Sequence, residues 1–302
     1  MEEVLNIKNL SKRYGSVQAL NNFTFSVNKG EVWGILGPNG SGKTTTLSII
    51  LGAVKQSRGD YQWFGNQVNA EALQKIGAIL EHPNFYPYLS ATDNLRIIAQ
   101  IRKADNEEIK RVLSFVNLYE RRNHKYQTFS LGMKQRLALA SAMLGKPEVL
   151  ILDEPTNGLD PTGIAEIRNL ISQLASEGST VILASHLLDE VQKVCTHVAV
   201  LSKGKNLFSG NVNQVLSDED VIEVGAVESD KLAEAIQGFP GYKSHLINNN
   251  LIQLSLSNHT DTAQLNSFLF EKGIVCTHLF AKKRSLENYY LELISNQSGA
   301  QQ

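Results

Sequence analysis

The chain has 302 residues, of which 42% are hydrophobic and 20% are charged, which is typical of a globular protein with enough material for about two domains. Its 29 basic and 30 acidic residues leave a net charge of -1, which argues against a basic surface for nucleic acid. No apolar run approaches the roughly 18 residues that cross a membrane, and the acidic start is unlike a signal peptide, so the sequence predicts a cytoplasmic protein.

Short β-branched runs alternate with longer amphipathic stretches from about residue 3 to residue 210. This alternation is typical of a largely parallel sheet covered by helices, so the predicted fold class is α/β with extra strands at the front. The predicted strands are residues 4–9, 23–27, 32–36, 76–80, 149–152, 181–184 and 198–201. The last four are almost wholly apolar, as strands buried on both faces are.

A helical insertion interrupts this pattern between residues 92 and 119, where apolar residues recur at spacings of three and four. The residues concerned are Leu95, Ile98, Ile101, Ile109, Val112, Leu113 and Val116. We therefore expect consecutive helices in this part of the sheet domain.

The polar run at residues 217–220 predicts a domain boundary, with one domain at 1–216 and a second at 217–302. In the second domain, the predicted elements are strands at 221–224, on either side of 248–250, and at 274–280, with helices at 230–236 and 262–271. That order, βαββαβ, predicts a small α+β domain of the ferredoxin-like kind. A terminal helix at about 285–294 precedes an Asn-, Gln- and Ser-rich tail that we expect to be disordered.

A phosphate-binding loop is predicted directly after the strand at 32–36 and before a helical run. Its sequence, Gly-Pro-Asn-Gly-Ser-Gly-Lys-Thr, matches GxxxxGK[ST]. Lys43 is predicted to reach the terminal phosphates, and the Thr44 hydroxyl to ligate Mg²⁺. A plain glycine-rich turn is the alternative, which the flanking strand and helix disfavour. The predicted nucleotide-binding residues are Gly37, Pro38, Asn39, Gly40, Ser41, Gly42, Lys43, Thr44 and Thr45.

Two carboxylates follow the apolar strand at 149–152, at the place where a nucleotide-hydrolysing fold holds its metal. Asp153 is the predicted Mg²⁺ ligand. Glu154 is predicted to orient or deprotonate the attacking water. A solvated strand end is the alternative for this pair, and the phosphate loop makes it the weaker one.

Further motifs, in their order along the chain, resemble the ATP-binding cassette (ABC) ATPase family over about residues 3–210. Tyr14 is similar to the aromatic residue that stacks on adenine, although packing against neighbouring side chains is its alternative. Residues 129–136 resemble the family signature LSGGQxQR, residues 157–160 the D-loop, and His186 the switch histidine that senses the γ-phosphate. The resemblance implies a P-loop ATPase sheet domain with antiparallel N-terminal strands and a helical subdomain.

The sequence departs from the family pattern at the signature and at the Q-loop. Leu131 stands where the signature usually has glycine, and Met133 where it usually has glutamine, while Ser130 and Gly132 are retained. Glu81 replaces the Q-loop glutamine. A carboxylate there can also ligate Mg²⁺ and sense the γ-phosphate, but it adds a negative charge, so ATP binding is better determined by the sequence than the rate of hydrolysis.

The resemblance also implies an assembly. In this family one subunit supplies the phosphate loop and another the signature, so a homodimer or a paired ATPase subunit closes head to tail over two Mg-ATP. Ser130, Gly132 and Asp160 are then expected to face the nucleotide of the partner. Members work on a separately encoded integral-membrane permease, which places the chain at the inner face of the cell membrane.

The sequence resembles the drug- and antibiotic-export branch of the family in four features. These are the variant signature, Glu81, the aromatic residues at 85–86 and the segment 285–293. Two alternatives stay open. One is a non-transport ABC regulator or mechanical ATPase acting on ribosomes, DNA or the division machinery. The other is a nucleotide-binding module in which Glu81 has abolished hydrolysis.

Overall fold

The computed structural model describes residues 2–81, 84–217, 221–248, 251–256, 262–282 and 285–299, which divide into two units. The first unit ends at Gly210 and the second begins at Asn211. This division lies a few residues before the predicted boundary at 216/217, because the helix Val212–Ser217 contacts the terminal helix Leu286–Gly299 of the second unit.

The strands and helices of the first unit span the following ranges. The strands are β1 (Glu3–Tyr14), β2 (Val17–Asn28), β3 (Val32–Leu36), β4 (Arg58–Trp63), β5 (Asn66–Gln67), β6 (Ile76–Ile79), β7 (Val149–Asp153), β8 (Thr180–Ser185), β9 (His197–Ser202) and β10 (Lys205–Asn211). The helices are α1 (Lys43–Ile50), α2 (Ala70–Gln74), α3 (Ala91–Arg102), α4 (Asn106–Phe115), α5 (Leu131–Ala142), α6 (Pro161–Ser176) and α7 (Leu188–Val194).

The main sheet of the first unit has the order β10-β9-β3-β8-β7-β6 over the described residues. β3 pairs in parallel with both β8 and β9, and β7 pairs in parallel with β6 and β8. Of the four strands predicted to be buried on both faces, β7 and β8 are buried throughout, β9 is buried except at its two end residues, and β6 except at Ala78, so the prediction is confirmed. Every residue of β3 is buried as well. Because parallel strands end at one edge of a sheet, the segments that follow β3, β7 and β8 come together there.

A second sheet carries the N-terminal strands in the order β2-β1-β4-β5, and all of its pairings are antiparallel. The predicted antiparallel front strands are therefore confirmed. β4 and β5 were not predicted, because most of their residues are polar and at least partly exposed. Trp63 at the end of β4 is fully buried and donates a 2.8 Å hydrogen bond to the carbonyl of Ile50, which links this sheet to α1.

The predicted helical insertion is confirmed as α3 and α4, which contact each other and α5. Ser90 and Asp105 cap their N-termini by accepting hydrogen bonds from backbone N–H groups three residues later. Leu95 and Ile109 are buried as their spacing predicts, but Ile101 is 75% exposed because it lies off the helix face that Leu95 and Ala99 bury.

The second unit contains α8 (Val212–Ser217), β11 (Val221–Ala226), α9 (Ser229–Gln237), β12 (Tyr242–Asn248), β13 (Leu251–Leu256), α10 (Thr262–Glu271), β14 (Cys276–Lys282) and α11 (Leu286–Gly299). Its antiparallel sheet has the order β12-β13-β11-β14, with a separate core that includes Ile222, Leu232 and Leu265. The ferredoxin-like prediction is confirmed.

The terminal helix α11 is longer than the predicted 285–294. No proline or glycine interrupts the chain before Gly299, so the helix continues and the prediction of a disordered tail is wrong for residues 295–299. The rest of the predicted tail, residues 300–302, lies outside the described residues. In the ranges that the structure describes, no helix combines the length and apolar character needed to span a membrane.

Candidate active site

The loop between β3 and α1, residues 37–42, is the predicted phosphate loop. Gly40 and Gly42 have φ values of 77° and 110°, in the left-handed region that favours glycine. A Cβ on Gly37 would lie 2.4 Å from the carbonyl oxygen of Leu201, so the backbone passes there only without a side chain. The glycines thus permit the tight loop that the motif predicts.

The side chain of Lys43 folds back into this loop. Its Nζ donates hydrogen bonds to the carbonyl oxygens of Gly37, at 2.7 Å, and Pro38, at 3.4 Å, and lies 3.4 Å from Oε1 of Glu154. Lys43 is only 6% exposed, and a buried ammonium is costly unless it is paired. The loop carbonyls and Glu154 therefore hold the positive charge at the sheet edge.

Asp153, the last residue of β7, presents a buried carboxylate at the same edge. Both of its oxygens are buried and lack a hydrogen-bond partner. Burial raises the pKa of Asp153, and the nearby carboxylates of Glu154 and Glu81 raise it further. The Thr44 hydroxyl and the Lys43 ammonium lower this pKa in part, although the hydroxyl does not reach hydrogen-bonding geometry.

Such a carboxylate fits a divalent cation, which would satisfy the two orphaned oxygens. Across the described part of the chain, no three His, Cys, Asp or Glu side chains are grouped closely enough to hold a metal. A cation at Asp153 would therefore need other oxygen donors, such as the Thr44 hydroxyl and phosphate oxygens, which is how Mg²⁺ is commonly bound with nucleotides. The nearby Ser41 hydroxyl is also buried and without a partner.

Glu154 lies between two potential partners at the edge. It adopts a left-handed backbone conformation, with φ of 47°, and its N–H donates a 2.9 Å hydrogen bond to the carbonyl of Ala184 in β8. Its Oε2 is 2.8 Å from Nδ1 of His186, while Oε1 faces Lys43. The side chain keeps 18% of its surface exposed, so this carboxylate is fixed on both oxygens yet still open to water.

The two remaining predicted nucleotide-site residues are Tyr14, at the end of β1, and Glu81, which lies near Asp153. The Tyr14 ring at the end of β1 is 47% exposed, with Nζ of Lys12 4.8 Å from its centre. The ring is therefore not packed in the core, and stacking on a base stays the prediction. Glu81 is exposed, has a φ of 54° and influences Asp153 electrostatically. His82 and Pro83, which continue the predicted Q-loop, lie outside the described residues.

A separate cleft of about 360 Å³ brings the signature and the segment 157–160 together. Ser130 caps α5 by accepting a hydrogen bond from the N–H of Met133 at 3.3 Å, and Asp160 caps α6 by accepting one from the N–H of Gly163 at 2.9 Å. The cleft is lined by Ser130, Leu131, Gly132, Arg136, Gly158, Leu159, Asp160, Thr162, Gly163 and Glu166. The phosphate-loop residues are not part of this lining.

Two features of the cleft were missed by the sequence analysis. Arg136 Nε lies 3.6 Å from Oε2 of Glu166, which pairs α5 with α6. Leu131 lies over Gly158, since a Cβ built on that glycine would be 3.2 Å from Leu131 Cδ2. Because Asp160 was predicted to face a nucleotide, the first turn of α6 could have been predicted to line the cleft. No local sequence pattern indicates the contact between Leu131 and Gly158.

Comparison with known proteins gives consistent matches. Residues 20–157 match the family described as ABC transporter. The chain is 44% identical over 225 residues to the uncharacterized ABC transporter ATP-binding protein YhcH of Bacillus subtilis (strain 168), covering 73% of this chain and 74% of that protein. It is 35% identical over 300 residues to the bacitracin transport ATP-binding protein BcrA of Bacillus licheniformis, covering 97% and 98% respectively.

A solved structure of a dimeric ATP-binding cassette, in a post-hydrolysis state and bound to ADP and Pi, matches with a TM-score of 0.60 and 25% identity. The match covers 69% of this chain and 98% of that chain. The sequence relatives and this structure thus agree on one type of domain.

Proposed function

Because this chain belongs to the family of ABC transporter ATP-binding proteins, we propose that it hydrolyses Mg-ATP at the edge formed by β3, β7 and β8 to drive export of a peptide antibiotic or a related small molecule. ATP binding and hydrolysis are the activity of this family of transport subunits. The observation that carries the assignment of residues is the convergence of Lys43, Asp153 and Glu154, with both Asp153 oxygens unpartnered.

In this mechanism, the chain's own groups bind and orient the terminal phosphates. The N-terminus of α1 and the backbone of residues 37–44 attract the phosphate oxygens, and Lys43 contributes the positive charge. Glu154 accepts the proton of the attacking water, since its carboxylate is partly exposed and held between Lys43 and His186. His186 orients Glu154 through Oε2 and is 43% exposed, so it can also contact the γ-phosphate.

Thr44, Asp153 and Glu81 are the residues that would hold Mg²⁺. When bound, the ion would neutralise charge on the β- and γ-phosphates. The support is the buried Asp153 carboxylate, which no protein donor satisfies, and the position of Glu81 close enough to raise the pKa of Asp153. Tyr14 would stack on the adenine ring.

The cleft formed by α5 and α6 would act on a nucleotide bound to another subunit. Two helix N-termini open into it, and Ser130, Gly132 and Asp160 lie at their starts. Helix N-termini attract phosphate, yet the chain's own phosphate loop is not part of the lining. Two copies, or this chain and a second ATPase subunit, would therefore close head to tail so that each cleft meets the partner's ATP.

The relatives support the proposals on the exported cargo and on the location. BcrA, named as a bacitracin transport protein, matches along nearly the whole chain, including the second unit. We propose that the chain works in the cytoplasm, bound peripherally to an integral-membrane permease at the inner face of the membrane. Closure over ATP and reopening after hydrolysis would then bias the permease between its two orientations.

The residue assignment is tested by comparing Glu154→Gln with Glu177→Gln, which changes an exposed glutamate after α6. Phosphate release should fall by about 10² to 10⁴-fold in Glu154→Gln, because a general base is lost, and stay at the level of the unmodified chain in the control. Normal turnover of Glu154→Gln would reject Glu154 as the base. An inactive unmodified chain would favour the nucleotide-binding module.

The transport assignment is tested by purifying the Glu154→Gln protein from gently solubilised membranes of its own host with ATP and Mg²⁺. We expect a multi-span membrane protein to co-purify, and its identity then leads to the exported compound. Recovery of ribosomes or DNA-bound proteins, with nothing from the membrane, would contradict the transporter and support a regulatory or mechanical ATPase.

A further inference from the structure

Leu131 is a large apolar residue at the start of α5, and its side chain lies in the cleft. It is 45% exposed, directly after the helix cap Ser130, and is one of the residues that line the cleft. The exposed side chain covers Gly158, which has a left-handed φ of 75°. Leu131 Cδ2 therefore lies close above Gly158, since a Cβ built on the glycine would be 3.2 Å from it, and no other heavy atom outside the neighbouring residues lies within 4 Å of that Cβ.

The turn beneath Leu131 connects two functional residues. It begins at Glu154, whose carbonyl oxygen accepts a 3.1 Å hydrogen bond from the N–H of Asn157. It ends at Asp160, which caps α6. A shift of Gly158 therefore acts on the backbone of Glu154 on one side and on the α6 cap on the other.

We propose that Leu131 is a positioning residue, which presses the turn at 155–160 against the start of α5. The proposal rests on the proposed function, because its consequence for turnover requires Glu154 to act on ATP. The signature and the turn would then keep their relative positions when a nucleotide binds in the cleft. Glu154 would thereby keep its left-handed backbone conformation. A glycine at position 131 could not make this contact, since it has no side chain to reach Gly158.

The contact is tested first in the full chain without nucleotide, by hydrogen–deuterium exchange. Leu131→Ala should speed exchange of the backbone amides at 155–160 about fivefold, because a half-buried leucine contact is removed. Leu131→Met should stay near the unmodified rate, since methionine has a similar volume. The matched control is Ile101→Ala, which removes a more exposed apolar side chain from α3.

Unchanged exchange at 155–160 in Leu131→Ala would overturn the proposal. Faster exchange throughout the first unit, including α1, would also overturn it, because it would indicate general destabilisation. Hydrogen–deuterium exchange needs neither ATP turnover nor a second subunit, so it tests the contact even if the proposed function is wrong.

The functional consequence is tested by steady-state ATP hydrolysis together with titration of a fluorescent ATP analogue into the isolated chain. Leu131→Ala should lower kcat about fivefold in step with the exchange change, while the analogue's Kd stays unchanged because Leu131 does not line the phosphate loop. Leu131→Met should restore kcat. An unchanged kcat, or an equal loss of analogue binding, would contradict a positioning role.

Discussion

The phosphate-loop edge and the cleft between α5 and α6 differ in how far their polar groups are satisfied. At the edge, the carboxylate oxygens of Asp153 are buried without partners. In the cleft, Ser130 and Asp160 already accept hydrogen bonds from the N–H groups of their own helices. The unpartnered groups at the edge are thus carboxylate oxygens, which favour a cation, whereas in the cleft the two capping oxygens are satisfied and the buried Arg136 Nε is without a hydrogen-bond partner.

The largest effect that follows from this difference is on nucleotide binding by a single chain. Lys43→Ala removes the charge that the loop carbonyls and Glu154 hold at the edge. We expect the affinity for a fluorescent ATP analogue to fall about 100-fold, as when a charged hydrogen-bonding group is lost from a buried site. Equilibrium titration of the isolated chain measures this loss.

Lys134→Ala is the matched control, because Lys134 lies on α5 with its Nζ 5.3 Å from the centre of the Tyr126 ring and away from the edge. Its analogue affinity should equal that of the unmodified chain. Equal losses of analogue affinity in Lys43→Ala and Lys134→Ala would contradict the assignment of nucleotide binding to the edge.

A smaller effect is expected from Ser130→Ala, which changes the cleft. In the Glu154→Gln background, ATP-induced dimerisation should weaken about tenfold, since the hydroxyl would meet the partner's γ-phosphate and a charge-assisted hydrogen bond is lost. Light scattering across a protein concentration series with Mg-ATP gives the dimer affinity. A matching loss of analogue binding by the single chain would place Ser130 at the edge instead.

The smallest effect concerns stability. Burial raises the pKa of Asp153, so the folded chain binds this proton more tightly than the unfolded chain does. Stability is therefore lost as pH rises from the ordinary carboxyl pKa through the raised one, and the penalty is complete at higher pH. At neutral pH, Asp153→Asn should raise the Tm by about 3 °C in the absence of Mg-ATP.

Thermal denaturation at pH 7 and near pH 4 checks both parts of this expectation. The gain from Asp153→Asn should shrink at the lower pH, where the carboxyl group of the unmodified chain carries a proton. Mg-ATP should stabilise the unmodified chain more than the variant. A lower Tm for Asp153→Asn at pH 7 would mean that the carboxylate is satisfied within the protein.

The sequence predicted the buried centre of the fold better than its periphery. β3, β7 and β8 are continuous apolar runs, which local composition reveals. β4, β5 and β10 are mostly polar segments, and β5 and β10 lie at the edges of their sheets, so no local apolar pattern marks these three strands. The extension of α11 beyond residue 294 was missed because polar composition suggested disorder, although nothing in it breaks a helix.

The candidate site shows the same division between local and distant information. Motif spacing predicted Lys43, Asp153 and Glu154, because the phosphate-loop motif follows the apolar strand β3 and the two carboxylates stand at the end of the apolar strand β7. The two contacts of Glu154 could not be predicted, since they depend on the left-handed turn after β7 and on the neighbouring strand that precedes His186. The contact of Leu131 joins segments that are distant in the chain.

The strand order of the main sheet has a consequence for the synthesis of the protein. β3, which carries the phosphate loop, pairs with β8 and β9, and both are translated long after it. Until β8 and β9 have been synthesised, the apolar strand β3 lacks the strands it pairs with. Such long-range pairing slows folding and leaves apolar surface exposed to aggregation. A protein truncated before β9 should therefore be insoluble. A protein truncated after β10 contains all six described strands of the main sheet and should be soluble.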